Sequence, residues 1–137
     1  MRLYLPYKYY SCNHTAASSN TSLIFAFRND ISEWDLDDVS VIGLSGNVII
    51  NGGFETTLAP WKYSNPFNAG GLSGIGNMNS HTGTNYYSAA AYGAVDYLIQ
   101  SFSTVTGLLY NISFYLYEQS ATGSSSSDVC SVNVTVI

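Results

Sequence analysis

The sequence predicts an all-β fold, an antiparallel β-sandwich, and three observations carry that prediction. Nearly every segment with a readable period alternates apolar and polar residues with period two, the repeat of a half-buried strand. No ten-residue segment shows the stripe of an amphipathic helix. Clusters of Gly, Ser and Asn, notably residues 68–79 and 120–128, separate the alternating segments as turns and loops do. At 137 residues the chain suits one domain and can bury a real core.

The strands follow in order. Aromatic and β-branched residues mark Tyr7–Cys12 and Leu23–Phe27. In Asp37–Ile42 the alternation sets Val39 and Val41 on the inward face; strict parity adds Asp37 to them and sends Asp37 and Asp38 to opposite faces. Val48–Ile50, Tyr86–Ala90 and Tyr97–Val105 come next. The clearest alternation is in residues 110–117, where Tyr110, Ile112, Phe114 and Leu116 share one face, and Asn111 and Ser113 the other. In residues 130–136, Val132, Val134 and Val136 oppose Asn133 and Thr135. By the same parity Cys12 and Cys130 both face inward, so a disulfide between them is expected. It would tie the first segment to the last and contribute roughly 4–5 kcal/mol in the chain-entropy model.

Composition narrows the function. Hydrophobic residues make up 46% and aromatics 15%, twelve of them tyrosines, so the chain is no disordered tail. Charged residues are only 9%, against roughly 25% in an average domain, so Ser, Thr, Asn and Gly must cover the surface. A formal charge of −5 with four Lys and Arg argues against a nucleic-acid partner. No apolar run approaches the roughly 18 residues of a membrane helix. Four N-glycosylation sequons begin at Asn13, Asn20, Asn111 and Asn133. They imply an extracellular or cell-surface chain, yet the first residues lack the apolar core of a signal peptide. The sequence therefore reads as a piece of something longer.

The order of its motifs agrees. Asn51-Gly52-Gly53-Phe54-Glu55 followed by Trp61, then His81-Thr82-Gly83-Thr84-Asn85-Tyr86, then the strands Tyr97–Phe102 and Leu109–Tyr115, resemble the calcium-stabilised jelly-roll modules of the galactose-binding-like superfamily. The likeness is nearest to carbohydrate-binding module families four, nine and twenty-two. Those modules end on a strand similar to Leu36-Asp37-Asp38-Val39-Ser40-Val41, which here comes first. Residues 1–44 thus resemble the C-terminal strands of one copy, and residues 45–137 the N-terminal two-thirds of the next. The window, cut out of phase from a tandem array, can close as one circularly permuted sandwich.

The resemblance implies a non-catalytic carbohydrate-binding module. Calcium takes six to eight oxygen ligands, and Glu55 with the Asp37–Asp38 pair are the candidate carboxylates; the resemblance adds the backbone of Thr84. For a glycan, aromatic rings suit the apolar C–H faces of sugars while amides meet their polar edges. The inventory is Trp61, Tyr63, Tyr86, Tyr87, Tyr92, Tyr97, Tyr115, Tyr117 and Gln119, with Tyr115, Tyr117 and Gln119 on the polar face of their strand. Trp61 also fits a core position, as do Phe102 and Phe114. No nucleophile elbow, phosphate loop or facing carboxylate pair points to an enzyme. The alternatives are an adhesive or spacer repeat that binds other cell-surface proteins, and an accessory domain of a glycoside hydrolase.

Overall fold

The computed structural model describes residues 6–119 and 130–137. Ten strands run through them: β1 (Lys8–Thr15), β2 (Asn20–Asn29), β3 (Trp34–Gly43), β4 (Gly46–Asn47), β5 (Lys62–Ser64), β6 (Gly74–Gly76), β7 (Tyr86–Ala89), β8 (Asp96–Ser103), β9 (Leu109–Glu118) and β10 (Cys130–Val136). They form two antiparallel sheets. The first has the order β1-β9-β3-β7-β6 with β4 on β3, and the second has the order β10-β2-β8-β5. The chain is an all-β sandwich. Its first three strands interleave with the later ones: β3 lies between β9 and β7, and β2 between β10 and β8.

Alternation selects the core. On β2 the side chains of Leu23, Phe25 and Phe27 are fully buried, and on β9 Tyr110, Ile112, Phe114 and Leu116 face them. Phe25 meets Phe114 edge-on at 5.1 Å and packs on Phe27 at 5.8 Å. Phe54 bridges Trp61 and Tyr87 at 5.6 and 5.8 Å, closing the core between the sheets. Each such ring contributes about 1.5–3 kcal/mol by leaving water.

Four local expectations give way. The β3–β9 register slips between Asp37, opposite Tyr115, and Ser40, opposite Ser113. The extra residue is a β-bulge with Asp38 at φ +51°, and it breaks strict parity. Val39 and Val41 face the core, but Asp37 lies on the outer face, and the Asp37 and Asp38 carboxylates both reach the turn at His81 and Thr82. Val48–Ile50 is no strand, because a side chain replaces the ladder. The buried Gln100 amide accepts from Ile50 N–H and donates to Ile50 C=O, both at 2.9 Å. Inside the expected loop 68–79, residues 74–76 form β6, a short edge strand against β7. Finally, Cys12 is a free, exposed thiol. The bridge to Cys130 is not made: β1 ends its sheet, where inward parity does not bury a side chain, and Cys130 sits on β10 of the other sheet, its side chain outside the described residues.

Phe25→Ala should lower the unfolding free energy by about 3–5 kcal/mol, read as the shift of the urea midpoint. A loss under about 1 kcal/mol would contradict the packing described.

Candidate functional site

The face of the first sheet turned away from the core collects unusual chemistry. Pairing sets Asp35 opposite Tyr117 and Ser88, and Asp37 opposite Tyr115, so these side chains share that face. Asp35 and Asp37 are fully buried, covered by the turn at residues 80–85 and by Tyr7 just before β1. The Gln119 amide donates to Glu33 Oε1 at 2.6 Å and to Asp35 Oδ2 at 3.0 Å, so it joins two carboxylates. Glu33 also accepts from the Ser88 hydroxyl at 2.8 Å. Tyr7 donates to the Asn79 carbonyl at 2.7 Å.

Beside this cluster opens a cleft of about 410 Å³ lined by Glu33, Ser88, Tyr86, Ile75 and Met78 among others. Gly76 shapes it, since a Cβ there would strike the Tyr86 ring at 2.5 Å. On the other side of the cluster runs an aromatic row. Tyr117 lies 5.8 Å from Tyr7, Tyr7 5.2 Å from His81, and Tyr115 5.2 Å from Tyr9. His81 stacks on Tyr115 at 3.8 Å, nearly parallel.

Burial governs the electrostatics. It pushes the Asp35 carboxyl up to about 7, with Gln119 pulling back and the Glu33 charge adding to the rise. Burial, then Asp38 alongside, pushes Asp37 to about 7 against the pull of the Asp38, Thr82 and His81 amides. Tyr7 is raised by burial and by the carboxylates around it, and Tyr86 rises to about 12 for the same reasons.

The expected cation ligands converge on the turn at residues 80–85. Asp37 Oδ2 accepts from the His81 and Thr82 amides at 2.8 and 3.2 Å, and its Oδ1 accepts from Asp38 N–H at 2.8 Å. Asp38 accepts from the Thr82 hydroxyl at 2.6 Å and lies 2.7 Å from His81 Nδ1. Glu55 accepts from the Thr84 and Asn85 amides at 2.9 and 3.0 Å. Thr84 therefore presents its N–H to Glu55. Among the described residues, no three His, Cys, Asp or Glu side chains stand together around a metal position. Gly83 is indispensable to this packing, because at φ +60° its missing Cβ leaves the space that Glu55 Oε1 fills.

Of the expected glycan contacts, the structure unites Tyr115, Tyr117 and Gln119. Trp61 is instead a core residue, 4% exposed, with its indole N–H on Asn51 C=O. Tyr87 is wholly buried. Tyr63 stands on β5 of the second sheet beside Asp96, Tyr97 on β8 of that sheet packs against Phe67 of the turn after β5, and Tyr92 lies over Gly70. Glu33, Asp35, Tyr7 and Tyr9 join the face without having been singled out. Period two extended back from Asp37 would have reached Asp35 and Glu33, but only the β3–β9 register places them beside Tyr117.

Two measurements follow. Asp35 and Asp37 titrate near 7 when folded and near the ordinary carboxylate value when unfolded, so the folded state holds more protons between those limits. Their stabilising share is present at acid pH and lost as pH rises through about 7. In chelator the melting temperature should fall from pH 5 to pH 8, and Asp35→Asn should flatten the slope; a rising profile would refute the burial of these groups. Gly83→Ala should cost at least about 1–2 kcal/mol from the backbone alone. Gly53→Ala, whose Cβ meets nothing nearer than 3.8 Å, should be tolerated. Comparison with family models, with curated proteins and with solved structures yields no match to this chain.

Proposed function

We propose that this chain is a non-catalytic, extracellular carbohydrate-binding module of jelly-roll type, with a calcium ion bracing the turn at residues 80–85. The observation that carries the reading is the outer face of the first sheet, where an open cleft, an aromatic row and hydrogen-bonding acceptors adjoin. Rings suit the apolar faces of pyranoses. Glu33 and Ser88 in the lining of the cleft, with Gln119 bonded to Glu33 beside it, suit their hydroxyls. Glu33 and Asp38 bring acceptors and negative charge with no Lys or Arg beside them in the cluster, which favours neutral glycans over uronic or sulfated ones. Burial of Asp35 and Asp37 keeps them from a scissile bond, and this supports binding without catalysis.

Calcium suits the turn because the carboxylates that meet there offer hard oxygens. Asp37 is committed to three amides, so Asp38 and Glu55, which both come 3.8 Å from where a Gly53 Cβ would stand, would hold the ion together with carbonyls of the adjoining turns. Bound there, calcium supplies positive charge that offsets the clustered carboxylates and fixes the turn over Asp37.

One observation favours the second reading, an adhesive or spacer repeat that binds protein. His81 covers one face of Tyr115, so the aromatic row is partly self-packed. A glycan and polysaccharide array, run with calcium and then with chelator, separates the two. Saturable binding to one neutral sugar class is expected, weakened about 5–10-fold by Tyr117→Ala or Gln119→Ala, as for a loss of about 1–1.4 kcal/mol. Tyr63→Ala and Tyr92→Ala should leave it unchanged. Silence from folded protein, or binding indifferent to Tyr117, moves the function to the adhesive repeat. Glu55→Gln with Asp38→Asn should abolish any rise in melting temperature on adding calcium, and persistence of that rise would remove the ion from this turn.

A further inference from the structure

β1 ends the first sheet, so one whole side of its backbone has no strand beside it among the described residues. All of its residues except His14 are exposed, with Tyr9 at 57% and Tyr10 at 43%. It holds no Pro and no acidic residue, and its single charge, Lys8, stands at its first position. A long edge with one charge at its very end and no Pro or bulge is a template for pairing with another chain. Antiparallel pairing of two copies about Cys12 would bring the two thiols face to face, Tyr10 against His14 and Tyr9 against Thr15, and would set no like charges opposite each other.

One device on the strand answers this liability. Asn13 is exposed, opens the sequon Asn13-His14-Thr15, and stands opposite Asn111, whose amide donates to its Oδ1 at 3.1 Å. We propose that Asn13 carries an N-linked glycan whose role is to guard the free edge of β1 against a second copy of this chain. The proposal rests on the extracellular reading. In the transfer, the Asn13 amide nitrogen attacks the anomeric carbon of a lipid-pyrophosphate-linked oligosaccharide. The N–C bond forms as the C–O bond to pyrophosphate breaks, the lipid pyrophosphate leaves, and the amide gives up one proton. The other sequon on this pair of strands, at Asn111, lies on the inner neighbour β9 and leaves the edge itself open.

The test is secretion of the chain from a eukaryotic host, with glycan occupancy read by mass spectrometry and association by light scattering. Thr15→Ala removes the sequon while keeping Asn13 and its hydrogen bond, so folding is preserved. The wild type should be monomeric with glycan on Asn13, and Thr15→Ala should shift to dimers or larger species. Addition of oxidised glutathione, as the disulfide oxidant, should link those dimers through Cys12. Ser11→Lys, a charge in the middle of the edge, should return Thr15→Ala to the monomer, and Ser113→Ala alone should remain monomeric. A Thr15→Ala protein as monomeric as the wild type overturns the guard, as does glycan on the other sequons but not on Asn13. An intramolecular Cys12–Cys130 bridge in the Thr15→Ala protein also overturns it, since Cys12 would then not face a second copy. Absence of glycan from all four sites sinks the extracellular reading itself, while glycan-array binding is scored separately.

Discussion

One extra residue in β3 decides the character of this molecule. With Asp38 turned to positive φ, the strand presents Val39 and Val41 to the core while Asp35 and Asp37 stay on the opposite face. A strand without the bulge would send either the valines into water or the carboxylates into the aromatic core. Burying Asp37 is costly unless every lone pair finds a donor. Three backbone amides meet most of that need, and in doing so they fix the turn that roofs the outer face. The acid that the bulge exposes to one side thus becomes the anchor of that side.

The segment after β4 locks the bulge from behind. Gly52 C=O accepts from Val39 N–H at 2.9 Å, and Gly52 has no room for a Cβ because the Val39 carbonyl occupies it. Asn51 and Phe54 both hold positive φ, and the Asn51 amide spans to the Thr57 and Ala59 carbonyls. That coil delivers Phe54 and Trp61 to the core and, one residue later, Glu55 to the roof turn. Core aromatic packing and the outer carboxylates are therefore two ends of the same knot. A change in either is felt by the other.

The sequence revealed what depends on repetition. Period two located β1, β2, β3, β7, β8, β9 and β10, and the polar parity of β9 grouped Tyr115, Tyr117 and Gln119. It failed where one residue or one side chain overrides the pattern. The bulge at Asp38 is a single insertion with no compositional mark, so strict parity misplaced Asp37. Gln100 stands among apolar neighbours and gave no sign that its amide would stand in for a strand at Ile50. Cys12 had the right parity and the wrong consequence, because facing inward means burial only where the opposite sheet covers the strand. Trp61 fitted both a ligand and a core inventory, and only its burial against Phe54 and the indole bond to Asn51 separate them. Glu33 and Asp35 were invisible as a site, since their neighbours Ser88 and Gln119 lie 55 and 84–86 residues away.

The interleaving of early and late strands has a temporal side. None of β1, β2 and β3 pairs with another of the three. Asn13 meets a residue 98 positions later, and Leu23 pairs with Gln100 on one side and with Val136 on the other. A growing chain therefore holds β1 and β2 as unpaired, strongly β-prone sequence until β8 and β9 have emerged, while β3 meets only the two residues of β4 and then β7. Closure of loops this long comes before any reward from contact, which makes for slow folding. Until those partners arrive β1 and β2 are open edges, and their safety in that interval depends on polar Ser, Thr and Asn side chains and on whatever escorts them.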